Sequence, residues 1–186
     1  AFIYIQMQLC SFSLTKWLSE NKDADSRPLN QTKSWFKEIV AGVEYMHGKN
    51  FIHRDLKVRE LEVIYKREPC NILFYEENKL KIADMGIVIE RKIENGREIT
   101  VDHNGSGTRD YMSPEQRSWF AELNAKSDVF TLGLILAEIC VVMDYTRKVE
   151  IFDKYRNGTP NKIFGNDIQT ETFVNHLTVI DKDLRP

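Results

Sequence analysis

From Val129 to Met143 the chain is apolar on nearly every side, and this one stretch constrains everything around it. It is too short to cross a bilayer and is broken by Thr131, Gly133 and Glu138. It therefore reads as a buried core helix running from Ser127 to about Met143. A helix with no polar face must be covered by other apolar faces. Asn30 to His47 supplies one, with Trp35, Phe36, Ile39, Val40, Val43 and Met46 on a single stripe and Gly48 as the expected stop. Leu14, Trp17 and Leu18 sit at helical spacing before the polar stretch Asn21 to Pro28, and weaker amphipathic segments lie near Arg147 to Arg156 and Gln169 to Val179. Phe2 to Leu9 predicts a buried strand. Asn71 to Phe74 and Lys79 to Ile82, joined by Tyr75 to Asn78, predict a small hairpin. Glu90 to Gly107 has neither period and is expected to be irregular. The predicted fold is mainly α with a small β-hairpin.

Composition narrows the function classes. The 186 residues, 42% apolar and 29% charged, suffice for one globular domain with a core. Twenty-six Lys and Arg against 28 Asp and Glu give a net charge of −2, which offers no bulk attraction to nucleic acid or an anionic membrane. Cys10, Cys70 and Cys140 are odd in number and widely spaced, so a disulfide framework or zinc site is disfavoured and a reducing compartment fits. No signal peptide opens the chain, but Ala1 is not an initiator methionine, so a fragment of a longer protein is expected.

The chemistry-bearing residues come in a fixed order: His53-Arg54-Asp55-Leu56-Lys57, then Asn71-Ile72-Leu73, then Asp84-Met85-Gly86. Asp55, in a loop after a helix, is placed as a base for a hydroxyl proton, and Lys57 two residues on can reach a phosphate. Asn71 and Asp84 offer hard oxygen ligands of the kind Mg²⁺ takes when waters and substrate phosphates complete its shell. Any one of these alone is more simply a turn former or a solvated charge. Their order, followed by Ser113-Pro114-Glu115, points to phosphoryl transfer from ATP.

With those motifs the chain resembles the C-terminal lobe of a eukaryotic protein kinase. Its texture is similar to the kinases of the translation initiation factor 2 α subunit, stress-response Ser/Thr kinases. The closer likeness rests on Tyr4-Ile5-Gln6-Met7-Gln8-Leu9-Cys10, on Gly107-Thr108-Arg109-Asp110-Tyr111-Met112-Ser113-Pro114-Glu115-Gln116, and on Asp128 to Glu138. The resemblance implies that residues 1–10 end an N-terminal lobe and form a hinge, that 11–186 are the C-lobe, and that 84–115 are the activation segment. It implies ATP and Mg²⁺ as cofactors, Asp55 as base, Lys57 as phosphate contact, and Asn71 and Asp84 as metal ligands. Met7 would be the gatekeeper, Gln8 and Cys10 would bond the adenine edge through their backbones, and Leu73 would floor the ring. His53 and Met85 would stack in an internal spine, and Gly86 would be structural beside Asp84. Thr108 would line the hydroxyl site against Asp55 and Lys57, Glu115 would pair with Arg185, and Arg54 would partner a phosphorylated hydroxyl. Asp128 would cap the catalytic-loop backbone, with a plain helix N-cap as an equally good local explanation. The substrate implied is the initiation factor α subunit, with a homodimer through the absent N-lobe, no nucleic-acid contact, no membrane span in this segment, and a cytoplasmic or cytosol-facing location.

The chain departs from the pattern in several places. Asn71 follows Asp55 by sixteen residues where the signature has five. Deleting 58–68 leaves an uninterrupted His-Arg-Asp-Leu-Lys-Pro-Cys-Asn, so the insertion is sharply bounded. The added length costs only about 1 kcal/mol in closure entropy. It reads either as a retained intron or gene-model error, since Val-Arg-Glu can be encoded by a splice-donor-like sequence, or as a real protrusion that blocks or redirects substrate, either a short helix with Leu61, Ile64 and Tyr65 on one side or a solvated loop. Met85 stands where phenylalanine is usual. In the activation segment Thr100, Ser106 and Thr108 offer hydroxyls, but His103 occupies a position phosphorylated in some relatives. Lys148, with Thr146 nearby, stands about where a substrate-docking threonine is expected. No Gly-rich loop or strand lysine precedes the motif, so the 186 residues alone are expected to be inactive. A pseudokinase or regulatory binding module is the competing class, and an incomplete gene model with no activity by itself is the third reading.

Overall fold

A computed structural model of the chain describes residues 4, 6–58, 70–76, 78–94, 97–99, 106–118, 123–159 and 162–186. The expected helix or loop at Leu61, Ile64 and Tyr65, and the positions Thr100 and His103, lie outside these residues.

The apolar stretch forms a helix, Ala125–Cys140, and five main helices are described: α1 (Leu14–Glu20), α2 (Leu29–Gly48), α3 (Ala125–Cys140), α4 (Tyr145–Arg156) and α5 (Ile168–Leu177). Phe130, Leu134, Ile135, Ala137 and Ile139 of α3 are all fully buried. The helix stops before the expected Met143. Val141 turns extended, and the buried guanidinium of Arg27 donates to the carbonyls of Glu138 (3.0 Å) and Val141 (3.1 Å), which would otherwise lack partners. On one side lies α2, burying Trp35, Phe36, Ile39 and Val43 as its stripe predicts. Gly48 does not end α2 but belongs to it. The reversal falls to Asn50, at φ 64°, a residue that tolerates the left-handed region. On the other side α5 approaches so closely that a Cβ on Gly133 would lie 2.5 Å from Thr178 Cγ2.

Strands β1 (Phe12–Ser13), β3 (Ile72–Glu76) and β4 (Lys79–Ile82) form an antiparallel sheet in the order β1-β3-β4, and β2 (Phe51–Ile52) pairs with β5 (Ile89–Glu90). The predicted hairpin is β3–β4, with Ile72 opposite Ile82 and Phe74 opposite Leu80. Phe74 stacks on Phe12 at 4.5 Å and meets Trp35 edge-on at 5.0 Å, which docks the sheet on α2. The strand expected within residues 2–9 is not found among the described residues of that span. Their side chains project outward (Tyr4 91%, Leu9 89% exposed), and regular pairing begins only at Phe12. The polar stretch is not wholly irregular either: β6 (Lys92–Glu94) and β7 (Arg97–Ile99) pair antiparallel, Glu94 opposite Arg97. Asn95-Gly96 between them is the strongest two-residue hairpin signal a sequence can carry. No described helix is long and apolar enough to cross a membrane.

Candidate active site

The loop between β2 and β3 is set by one carboxylate. Asp128, fully enclosed in the first turns of α3, accepts the His53 N–H on Oδ2 and the Arg54 N–H on Oδ1, both at 2.9 Å. Its Oδ2 also lies 2.8 Å from His47 Nε2 at the end of α2. The N-cap alternative falls away, because Asn124 caps α3 through the Lys126 N–H. Arg54 adopts φ 69°, costly for a long side chain. Its carbonyl accepts from Gln116 Nε2 (2.9 Å) and its Nε donates to the Ile87 carbonyl (2.7 Å). Burial pushes its guanidinium pKa down against the attraction of Asp128. A Cβ on Gly107, at φ 120°, would sit 2.9 Å from the Arg54 carbonyl, so only glycine lets the later segment lie against this loop.

His53 is fully buried. Its Nδ1 accepts the Asp55 N–H (3.3 Å), so Nε2 carries the proton and donates to the Ala83 carbonyl (3.2 Å). Asp55 then presents two different oxygens. Oδ1 accepts both the N–H and the hydroxyl of Thr108, each at 2.7 Å. Oδ2 faces Lys57 Nζ at 3.3 Å and Asn71 Nδ2 at 3.4 Å. Lys57 is only 3% exposed, so the cation is held inside the lobe. Asn71 donates to the Asp55 backbone carbonyl as well, which turns its Oδ1 away; that oxygen is buried and accepts no hydrogen bond among the described residues.

Asp84 is reached through the backbone: the Ala83 N–H donates to the Asn71 carbonyl at 2.8 Å, and the next residue takes φ 61°. Asp84 Oδ1 accepts the Gly86 N–H (3.1 Å), and a Cβ on Gly86 would stand 3.0 Å from that oxygen. Asp55, Lys57, Asn71 and Thr108 are thus in direct contact or one partner removed, while Asp84 is one backbone rung away with an exposed side chain. An oxygen-lined Mg²⁺ position fits this set, since one buried carbonyl oxygen lacks a partner and one carboxylate is open. Among the described residues no group of three or more His, Cys, Asp or Glu could hold a metal unaided.

The remaining expected residues fall variously. Met85 is not enclosed in the core with His53. It is 52% exposed, carried outward as the chain reverses after Asp84 with the Val88 N–H on the Met85 carbonyl. Met7 is 81% exposed, Gln8 is exposed with its Oε1 accepting from Lys81, and the Cys10 thiol lies 3.8 Å from the Gln8 carbonyl. Leu73 is half-buried on β3, opposite Ser13 and Lys81. Glu115 and Arg185 form a two-pronged pair at 2.6 and 3.0 Å, with Arg185 also donating to the Val179, Ile180 and Lys126 carbonyls. Burial pushes the Glu115 pKa up, but the bonds and charge of Arg185 outweigh it and leave the carboxyl below its ordinary value.

Three features escaped the sequence reading. His47 looks like an ordinary last-turn cation. Arg156, on a polar helix, is buried and donates to the Met112 (2.8 Å) and Asp110 carbonyls, clamping α4 onto the segment that carries Thr108. Burial pushes its pKa down to about 10, which leaves it charged at neutral pH. Lys148 is 1% exposed, with Nζ 3.5 Å from Glu138 Oε1 and 5.0 Å from the Tyr111 ring centre, so it points into the lobe and not toward a docking partner.

Residues 1–176 match the sequence model of the protein kinase domain. The chain is 34% identical over 202 aligned positions to eukaryotic translation initiation factor 2-alpha kinase pek-1 of Caenorhabditis elegans, covering 100% of this chain and 18% of that protein. It is 37% identical over 169 positions to the interferon-induced, double-stranded RNA-activated protein kinase of Rattus norvegicus, covering 89% of this chain and 29% of that protein. With eukaryotic translation initiation factor 2-alpha kinase 3 of Bos taurus the identity is 35% over 147 positions, 74% of this chain and 12% of that protein. The chain therefore spans less than a third of the length of these relatives.

Proposed function

The chain belongs to the protein kinase family, and from that premise we propose that it is the catalytic lobe of a Ser/Thr kinase that moves the ATP γ-phosphate to a protein hydroxyl. The observation that carries this reading is the Asp55 carboxylate, held on one oxygen by Thr108 and facing Lys57 and Asn71 with the other. Asp55 takes the proton of the incoming Ser or Thr hydroxyl. Thr108 orients the carboxylate through paired donors, and Lys57, stripped of water by burial, faces the phosphate. Asn71 Oδ1 and Asp84 would hold Mg²⁺, which when bound neutralises charge on the phosphate oxygens.

The substrate proposed is the α subunit of translation initiation factor 2, supported by the relatives that carry that name. With Lys148 turned inward, docking along α4 falls to its exposed residues, Tyr145, Thr146, Arg147, Glu150 and Lys154. Dimerisation through an upstream lobe and a cytosol-facing location belong to the same proposal. The 186 residues alone are proposed to be inactive, because Tyr4, Met7 and Leu9 leave the hinge side uncovered. The test is ATP binding, with and without Mg²⁺, by the protein carrying its upstream region. Asn71→Ala and Asp84→Asn should each abolish the Mg²⁺ dependence. Mg²⁺-dependent binding that survives both changes overturns the metal assignment, and no ATP binding at all favours the pseudokinase alternative.

A further inference from the structure

The extra residues between Lys57 and Asn71 would be expected to spoil the geometry of the site, because its members must keep their places to within about half an ångström. Yet the two flanks are joined directly. The Asn71 N–H donates to the Lys57 carbonyl at 3.3 Å, and the Cys70 thiol lies 3.6 Å from the same oxygen. Val58, the first residue of the apparent insertion, is fully buried and belongs to the hydrophobic core. Its carbonyl accepts the hydroxyl of Thr15, in the first turn of α1. The returning flank is fastened to the outgoing one at that point, since the Cys70 thiol and the Asn71 N–H both reach the carbonyl of Lys57, the residue before Val58.

We infer that Thr15 is a positioning residue, a latch from α1 that fixes the outgoing flank at Val58, onto which the returning flank is bonded at Lys57, so that Asp55, Lys57 and Asn71 stay in register whatever chain lies between Val58 and Cys70. The inference rests on the reading of those three residues as the phosphotransfer set. It also moves the boundary of the extra segment: Val58 belongs to the lobe, and joining Val58 directly to Cys70 restores the five-residue spacing of the signature. Asp55 and Asn71 are then correctly spaced by the neck and not by the loop.

The test is site-resolved amide hydrogen exchange on the 186-residue chain, read without nucleotide, so it stands apart from whether phosphate is transferred. Thr15→Val keeps the shape and removes the hydroxyl. It should speed exchange at Asn71 by about tenfold, the effect of losing one partly buried hydrogen bond, while amides in the middle of α3, which report global opening, stay unchanged. Thr15→Ser should restore the native rate at Asn71. Removal of residues 59–69 should leave Asn71 as protected as in the intact chain. The inference is overturned if Thr15→Val leaves Asn71 unaffected, if it accelerates α3 equally, or if the shortened chain folds with Asn71 exchanging freely.

Discussion

Asp128 shows how much one buried side chain can fix. The His53 and Arg54 N–H groups and His47 converge on it, and the Arg54 bond holds the strained residue from which Asp55 follows. Asp128→Ala would leave these donors buried without a partner, so a loss of about 3 kcal/mol is expected in urea unfolding at pH 7. The Glu115–Arg185 pair makes a second prediction. Glu115→Gln strands a guanidinium whose side chain is wholly enclosed and should cost about 3 kcal/mol at neutral pH. Because the folded pKa of Glu115 lies below its ordinary 4.5, that stabilisation is fully present above about pH 4.5 and fades as the pH falls through the lowered value. The wild-type advantage over Glu115→Gln should therefore shrink in acid, and a constant difference down to pH 2 would contradict the pairing. At this scale the sequence was informative where a residue type has few uses. The contacts of Thr108 with Asp55 and of Glu115 with Arg185 were implied by the resemblance, whereas the exposure of Met85 and the contact of His47 with Asp128 were not legible, since a methionine or a last-turn histidine suits either surface or core.

Elements are held together by small residues and buried cations that carry no local pattern. The α3–α5 contact depends on Gly133, where an added methyl would meet Thr178 and Leu177 at 2.5 and 3.0 Å. Gly133→Ala is expected to destabilise the lobe by about 1–3 kcal/mol, seen as a lower urea midpoint with unchanged slope. The α4 clamp depends on Arg156. Arg156→Met should free the Asp110 and Met112 carbonyls and speed amide exchange at Tyr111, whose N–H donates to Thr108, by about tenfold. The strong helices were legible because α2 and α3 state their faces in the spacing of Trp35, Phe36, Ile39 and Val43 or in the absence of any polar face. Their ends were less so: it is Arg27, far along the chain, that takes up the carbonyls where α3 stops. Among the described residues of 2–9 the expected strand is not found, because β-rich composition reports a preference for pairing and says nothing of whether a partner strand is there.

The whole lobe is organised so that residues far apart in sequence meet at one carboxylate. Residues from α2, from the loop after β2, from the start of β3 and from the segment before α3 all reach Asp55 or its immediate supports, which is why motif order could be read through the extra chain. What the order could not give was how the loop survives, since Thr15 carries no motif. It could not give the inward turn of Lys148 either, because a lysine on an amphipathic helix ordinarily faces water. The central claim, that Asp55 is the base of a phosphotransfer site, is tested most directly by γ-phosphate transfer to a protein hydroxyl, measured on the protein with its upstream region, comparing the native chain with Asp55→Asn. The account predicts Mg²⁺-dependent turnover that falls by about 10²–10⁴ in kcat when the base is lost. Turnover in Asp55→Asn equal to that of the native chain would contradict it.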